Sequence, residues 1–108
     1  MRSDLTYELR MYHALPGKWD ELLAQFRDHL IAIFEDHGIS SHGYWQDRSR
    51  ENVLVYLVSH ADSPDENWNS FRDDPRWAAI RDGSSTGGQL VSLIESMRLS
   101  PTDFSPLQ

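Results

Sequence analysis

Three side chains that could bind a small molecule or move its proton follow one another along a predicted strand near the start of the chain. Glu8, Arg10 and Tyr12 alternate with apolar residues, and side chains two apart on a strand share a face at intervals of roughly 7 Å. A carboxylate can transfer a proton, and a guanidinium and a phenol can hold the charge of an enolate. The spacing therefore predicts a polar site on one face. The opposite face carries the stripe expected to face the core: Tyr7, Leu9 and Met11.

A structural role for the same charges is the alternative. An enclosed carboxylate is costly unless it is paired, so an ion pair between Glu8 and Arg10 would fix the fold or the register of a dimer. The sequence leaves both interpretations open.

A histidine would supply an acid or base that titrates near neutral pH. Of the five histidines, His42 lies in the middle of a predicted strand, and we predict it to be catalytic with Glu8. The register of its hairpin decides its face, because a one-residue slip moves every side chain to the other side. We predict that Gly43 lies under a helix, so that Trp45 packs into the core while His42 and Tyr44 face the site.

Composition excludes several functional classes. The chain has no cysteine, which excludes disulfides, thiol nucleophiles and Cys-based metal centres. It has no HExxH motif, no G-x-S-x-G motif and no base placed beside a serine, so we predict neither a metal nor an organic cofactor. The net charge of −7 disfavours nucleic acid and anionic membranes as partners. The N-terminus lacks the apolar segment of a signal peptide, and we expect a soluble cytoplasmic protein.

Hydrophobic periodicity orders the elements as β-α-β-β-α-β in a single domain over residues 1–108. A helix starts after Pro16-Gly17 and ends at a C-cap glycine, Gly38. A second helix is capped by Ser63, and Asp74-Pro75 starts a short further one. The remaining strands are predicted over 39–46, 52–60 and 90–99, with a Gly/Ser/Thr loop over 82–88 and a tail over 101–108.

This order is the ferredoxin-like α+β pattern, in which an antiparallel four-stranded sheet has both helices on one face. We expect the uncovered face to carry Tyr12, Tyr56 and either Tyr44 or Trp45. A second subunit packed sheet to sheet would cover it and enclose a chamber, so we predict a homodimer with its ligand there. Arg98, on the last strand, has the parity of the polar face, although the last strand is an edge and Arg98 need not touch the first strand.

Six short motifs, in order, carry a resemblance to the NIPSNAP family of the dimeric α/β-barrel superfamily. They are Tyr7-Glu8-Leu9-Arg10 with Tyr12, Pro16-Gly17-Lys18, His37-Gly38, Gly43-Tyr44-Trp45, Asp74-Pro75-Arg76-Trp77 and Ser105-Pro106-Leu107. The resemblance implies a ferredoxin-like protomer and a barrel built by two protomers. It also implies relatives that include cofactor-free monooxygenases, cyclases, dehydratases and isomerases, together with members of no known chemistry.

Two functions follow as hypotheses. The first is an enzyme, such as one of a biosynthetic pathway, that performs cofactor-independent acid–base chemistry on a carbonyl-rich or aromatic metabolite: cyclisation, isomerisation, dehydration or oxygenation. The alternative is a non-catalytic ligand-binding or protein-interaction module. The predicted site comprises two catalytic residues, Glu8 and His42, and five that bind substrate: Arg10, Tyr12, Tyr44, Tyr56 and Arg98. We also predict that the tail packs through Phe104 and Leu107.

Overall fold

Four antiparallel strands form one sheet in the order β2–β3–β1–β4. Their bounds are β1 Thr6–Ala14, β2 Ile39–Gln46, β3 Val53–His60 and β4 Val91–Leu99. The structure, a computed structural model, describes residues 5–84 and 89–108. The predicted ferredoxin-like α+β fold is therefore confirmed, with the first strand in the centre and the last at an edge. Part of the predicted loop over 82–88 lies outside the described residues.

One long helical stretch joins the first two strands. It runs as α1 (Trp19–Gln25), a π-helical turn (Phe26–Leu30) and α2 (Ile31–Asp36). Gly38 follows with φ of 76°, a left-handed conformation that glycine adopts without steric strain. The predicted helix and its C-terminal glycine are thus both found, and the π-helical turn was not predicted.

Two short helices lie between β3 and β4, and both begin as their sequence signals predict. α3 (Pro64–Arg72) starts where the Ser63 side chain accepts a hydrogen bond from the backbone N–H of Glu66. α4 (Pro75–Asp82) starts where the Asp74 side chain accepts one from the backbone N–H of Arg76. In the described residues, no helix has both the length and the apolar character needed to cross a membrane.

The core lies between the helices and one face of the sheet. Buried apolar side chains from the two layers meet there: Leu22, Phe26, Leu30, Ile33, Phe34, Trp68 and Phe71 from helices, and Ile39, Leu54, Tyr56 and Val58 from strands. Since pairing partners in neighbouring strands share a face, Glu8, Arg10 and Tyr12 also face the helices, opposite Val58, Tyr56 and Leu54.

The prediction of which face of the sheet is covered was therefore wrong. Glu8, Arg10 and Tyr12 do not face a chamber between two sheets. Tyr7, Leu9 and Met11, which were predicted to face the core, lie instead on the outer face. Further apolar side chains on that face are exposed to solvent. Trp45 is 53% exposed, Leu93 51% and Met97 50%. Strand alternation identifies which side chains share a face but not which face the helices cover.

The C-terminal tail crosses the outer face and covers Tyr7. The Tyr7 hydroxyl donates a hydrogen bond to the backbone oxygen of Gln108, and Leu107 lines the same shallow pocket as Tyr7 and Leu57. The prediction that the tail packs is confirmed for these residues. Phe104 is 83% exposed in the single chain, and its packing stays a prediction.

Candidate functional site

A buried polar cluster lies near the N-terminal end of β1, beside Trp68 of α3. Glu8 is 1% exposed, and three donors surround its carboxylate. Its Oε1 accepts from His60 Nε2 at 2.9 Å and from Trp68 Nε1 at 2.8 Å, while Oε2 accepts from Arg10 Nη1 at 2.8 Å. The predicted Glu8–Arg10 ion pair is therefore present. His60 and Trp68 were not predicted as members of the site.

Hydrogen bonds decide the charge of Glu8. Burial alone would raise its pKa, but the donors His60, Trp68 and Arg10 outweigh that effect and lower the pKa to about 2. At neutral pH, Glu8 is therefore an anion with little affinity for a proton. A carboxylate of this kind orients its neighbours well and is a poor general base.

Arg10 connects the carboxylate to two tyrosines. Its Nε donates to the Tyr56 hydroxyl at 2.9 Å and its Nη2 to the Tyr12 hydroxyl at 3.2 Å. The guanidinium also lies 4.2 Å from the ring of Trp68, within the range of a cation–π contact. Burial raises the pKa of Tyr56 well above its usual value, so this phenol stays protonated. Glu8 thereby fixes Arg10, which in turn fixes both hydroxyl groups.

An apolar cavity of about 200 Å³ adjoins this cluster, between the sheet and the helices. Tyr12 forms part of its wall, and the aromatic side chains around it pack edge to face: the centroids of Tyr12 and Phe26 are 5.4 Å apart. Gln25 is the other polar side chain on the described wall. The remaining lining is apolar: Leu22, Phe26, Leu30, Phe34, Phe71, Trp77, Leu90, Val91 and Ile94.

A β-bulge separates His42 from Tyr44. Ser41 pairs with Val58 and Gly43 with Leu57, which leaves His42 as the extra residue in β2. His42 is on the outer face, where its Nε2 lies 2.7 Å from Ser59 Oγ. Tyr44 faces the helices and stacks on Tyr56 at 5.1 Å.

The predicted arrangement around Gly43 was thus wrong in three respects. His42 and Tyr44 do not share a face, and Trp45 does not enter the core. The space at Gly43 is filled by the Trp45 ring: a Cβ added to Gly43 would lie 2.3 Å from it. The glycine therefore accommodates a tryptophan of its own strand on the outer face, and not a helix.

Arg98 is near the cluster without joining it. It pairs with Glu8 across β1 and β4, yet its Nη2 binds Asp65 Oδ1 at 2.6 Å on the surface. The structure therefore brings five predicted site residues together and leaves two apart. The five are Glu8, Arg10, Tyr12, Tyr44 and Tyr56; the two are His42 and Arg98.

Sequence reasoning also missed a second polar cluster, at the end of α2. The imidazole of His37 lies between two side chains, with Nδ1 2.5 Å from Ser70 Oγ and Nε2 2.7 Å from Asp74 Oδ2. Arg76 completes it with an ion pair to Asp74 at 2.8 Å. The sequence showed no base beside a serine, but folding places His37 beside Ser70. The available signal was the position of the motifs around His37 and Asp74. Each lies at the end of a helix, where unpaired backbone groups need partners. Across the described residues, no group of three or more His, Asp or Glu could hold a metal ion.

Fold and site together define a class: a ferredoxin-like α+β domain with a charge-paired cluster and an apolar cavity beneath its helices. The chain belongs to the NIPSNAP family, whose sequence model matches residues 7–106. The expected family membership is therefore confirmed.

Solved structures agree with this assignment. A NIPSNAP family protein from Agrobacterium tumefaciens is 29% identical, with a TM-score of 0.79 and coverage of 96% of this chain and 99% of that one. A second NIPSNAP protein from the same organism is 23% identical, with a TM-score of 0.79 and full coverage of both chains. A candidate antibiotic biosynthesis monooxygenase from Bacteroides thetaiotaomicron shares the fold at 16% identity, with a TM-score of 0.65 and coverage of 96% and 93%. A comparison with curated proteins found no match.

Proposed function

We propose that this protein binds a small, largely apolar molecule in the cavity between the sheet and the helices. The observation that carries the proposal is the position of Tyr12. Its ring forms part of the wall of an apolar cavity of about 200 Å³, and its hydroxyl is held by Arg10 at 3.2 Å. Ligand sites typically combine apolar walls with a few fixed polar groups.

Cavity size limits the ligand to one or two rings. An apolar cavity of about 150 Å³ accepts benzene, so a volume of about 200 Å³ suits a molecule such as 2-naphthol. Aromatic walls such as Phe26 and Trp77 favour a planar ligand. A fold shared with a candidate monooxygenase is consistent with this use of the space.

Within the proposal, Glu8 positions the site without touching the ligand. Its three donors and its pKa of about 2 suit it to holding Arg10 in place. Arg10 in turn orients Tyr12, whose hydroxyl hydrogen is the group offered to a ligand oxygen. His42, on the outer face, has no part in this cavity.

The test is calorimetric titration of 2-naphthol into the wild-type protein and into Tyr12→Phe. We expect the wild type to bind, and the variant to bind about tenfold more weakly because it lacks one hydrogen bond. Tyr7→Phe makes the same chemical change on the outer face and should bind like the wild type. Failure of the wild type to bind any one- or two-ring probe would overturn the proposal.

A second function, cofactor-independent catalysis at this cavity, is favoured by the Arg10–Tyr12 hydrogen bond. A cationic donor behind a phenol strengthens the hydrogen bond that the phenol gives to a developing enolate. We therefore propose enolisation of a cyclic ketone as the reaction class, with water as the proton acceptor. Exchange of the α-protons of 2-tetralone with D2O, followed by NMR, tests this. Wild-type exchange no faster than that of Tyr12→Phe would reduce the function to binding.

We also propose that a second copy of the chain covers the outer face. The support is its exposed apolar side chains, Trp45, Leu93 and Met97, in a sheet whose described helices pack on the other side. An obligate interface buries more than about 2,000 Å². Sedimentation equilibrium should give a dimer at micromolar concentration, and Leu93→Glu should give a monomer. A wild-type monomer would contradict this proposal and leave the cavity proposal intact.

A further inference from the structure

The charged side chains near the cavity lie behind its described wall and not on it, and their position limits which ligands can bind. Among the described residues, the wall carries no charged side chain, and its polar members are Tyr12 and Gln25. The cation behind the wall is Arg10, which is already paired with Glu8 at 2.8 Å.

His60 adds no charge to this cluster. A carboxylate accepts hydrogen bonds, so His60 Nε2 must be the donor to Glu8. On the other side of the ring, Asn67 Nδ2 lies 3.1 Å from His60 Nδ1. Because an amide nitrogen only donates, Nδ1 must accept, and the imidazole is neutral. The buried cluster of Glu8, Arg10 and His60 therefore has a net charge of zero.

A ligand carboxylate in the cavity would consequently lack a counterion. Arg10 donates three of its five N–H groups to Glu8, Tyr12 and Tyr56, and its charge is already compensated by the Glu8 carboxylate. Removing an anion from water without a partner is strongly unfavourable. An uncharged ligand meets no such barrier, since its oxygen needs one donor and Tyr12 supplies it.

We infer that the cavity selects uncharged phenols, ketones and amides and rejects carboxylates of the same shape. This inference rests on the proposed binding function and deepens it by naming the ligand class. The selectivity comes from Glu8, which neutralises Arg10, the buried cation behind the described wall.

Two probes of matched shape test the inference. 2-Naphthamide is neutral at pH 7, whereas 2-naphthoate is an anion there because a carboxylic acid titrates near pH 4. We expect the wild type to bind the amide at least about 100-fold more tightly than the carboxylate. Binding of neither probe would overturn the cavity as a binding site. Equal binding of both would overturn only the charge selectivity.

A cation added at the rim should reduce the difference between the probes. Ile94 lies on the described wall and is 45% exposed, so Ile94→Lys is compatible with folding. It should raise the affinity for 2-naphthoate relative to the affinity for 2-naphthamide at least about tenfold. Ala32→Lys, on the exposed side of α2, adds the same charge away from the cavity and should leave both affinities unchanged. Equal gains for both lysine variants would assign the effect to overall charge and overturn the inference.

Discussion

Two clusters in this protein combine the same three groups, a carboxylate, a histidine and an arginine, in different surroundings. In the buried cluster, Glu8 contacts His60 at 2.9 Å and Arg10 at 2.8 Å. In the surface cluster, Asp74 contacts His37 at 2.7 Å and Arg76 at 2.8 Å. The distances match, but exposure differs: the side chain of Glu8 is 1% exposed and that of Arg10 14%, whereas that of Asp74 is 9% exposed and that of Arg76 51%.

The physical causes of ionisation differ between them. At Glu8, burial opposes the charge and three hydrogen bonds are needed to overcome it. At Asp74, hydrogen bonds from Arg76 and then from His37 lower the pKa well below its usual range, and burial offers little opposition. Losing a partner therefore leaves an uncompensated charge in the first cluster, whereas water can replace the partner in the second.

The largest effect is expected from Arg10→Met. The substitution keeps an unbranched apolar stem but removes the guanidinium, and it leaves Glu8 buried without its counterion, which should lower the free energy of unfolding by about 3 kcal/mol or more. Urea unfolding measures this, with Arg48→Met on the exposed hairpin loop as the control. The double variant Glu8→Gln/Arg10→Met should be less destabilised than the sum of the two single variants. Additive losses would mean that the two residues are not coupled.

Measuring stability as a function of pH tests the buried cluster, because the direction of the Glu8 pKa shift determines how stability changes with pH. The pKa of Glu8 falls from 4.5 to about 2 on folding, so its contribution is complete above about pH 4.5 and is lost as the pH falls towards 2. That contribution is about 3 kcal/mol. Three aspartates with lowered pKa values, Asp47, Asp65 and Asp74, act in the same direction. The wild-type stability should therefore fall over this range more steeply than that of Glu8→Gln, and identical slopes would refute the assignment.

Asp74→Ala should be milder than Arg10→Met. It removes the cap of α4 and the partner of His37, but Arg76, the cation that loses its carboxylate, is 51% exposed and can be solvated. The same urea experiment should rank the two variants clearly, with Asp74→Asn between Asp74→Ala and the wild type because an amide oxygen can still cap. A loss for Asp74→Ala as large as for Arg10→Met would remove the distinction between the clusters.

The smallest effect is expected from His42→Ala. This histidine binds the Ser59 hydroxyl without a carboxylate, and its side chain is exposed on the outer face. Stability should change by no more than about 0.5 kcal/mol, and the affinity for 2-naphthol should not change. A loss of binding would return His42 to the site that the sequence predicted for it.

Hydrophobic periodicity was sufficient to predict the fold but not to predict which face of the sheet the helices cover. The helix over 19–36 and the alternation in β1 are properties of neighbouring residues, so the sequence contains them. The covered face depends on contacts far along the chain, such as Trp68 with Glu8. The charge of Arg10 indicated that its face of the sheet is not covered by helices. Its burial depends on a carboxylate, two phenols and an indole that come together only on folding.

The bulge at His42 and the cluster at His37 illustrate the two kinds of information that were missing. One extra residue in β2 reverses every face beyond it, and nothing local to the sequence marks it. The cluster at His37 brings together three separate segments, and Ser70 gave no signal of its own. The capping motifs at Ser63 and Asp74, by contrast, act within four residues and were predicted correctly.

The π-helical turn over Phe26–Leu30 has a consequence for insertions and deletions. Each residue of an α-helix advances the side chain by about 100°, so the turn, with its wider hydrogen-bonding ring, resets the phase between α1 and α2. Phe26 and Leu30 lie within it and both line the cavity. A regular α-helix over the same residues would rotate Ile33 and Phe34 by about 100° away from the sheet, whereas deleting one residue within the turn would make the helix regular and keep their phase. A fully regular α-helix over these residues is therefore incompatible with the packing of the core.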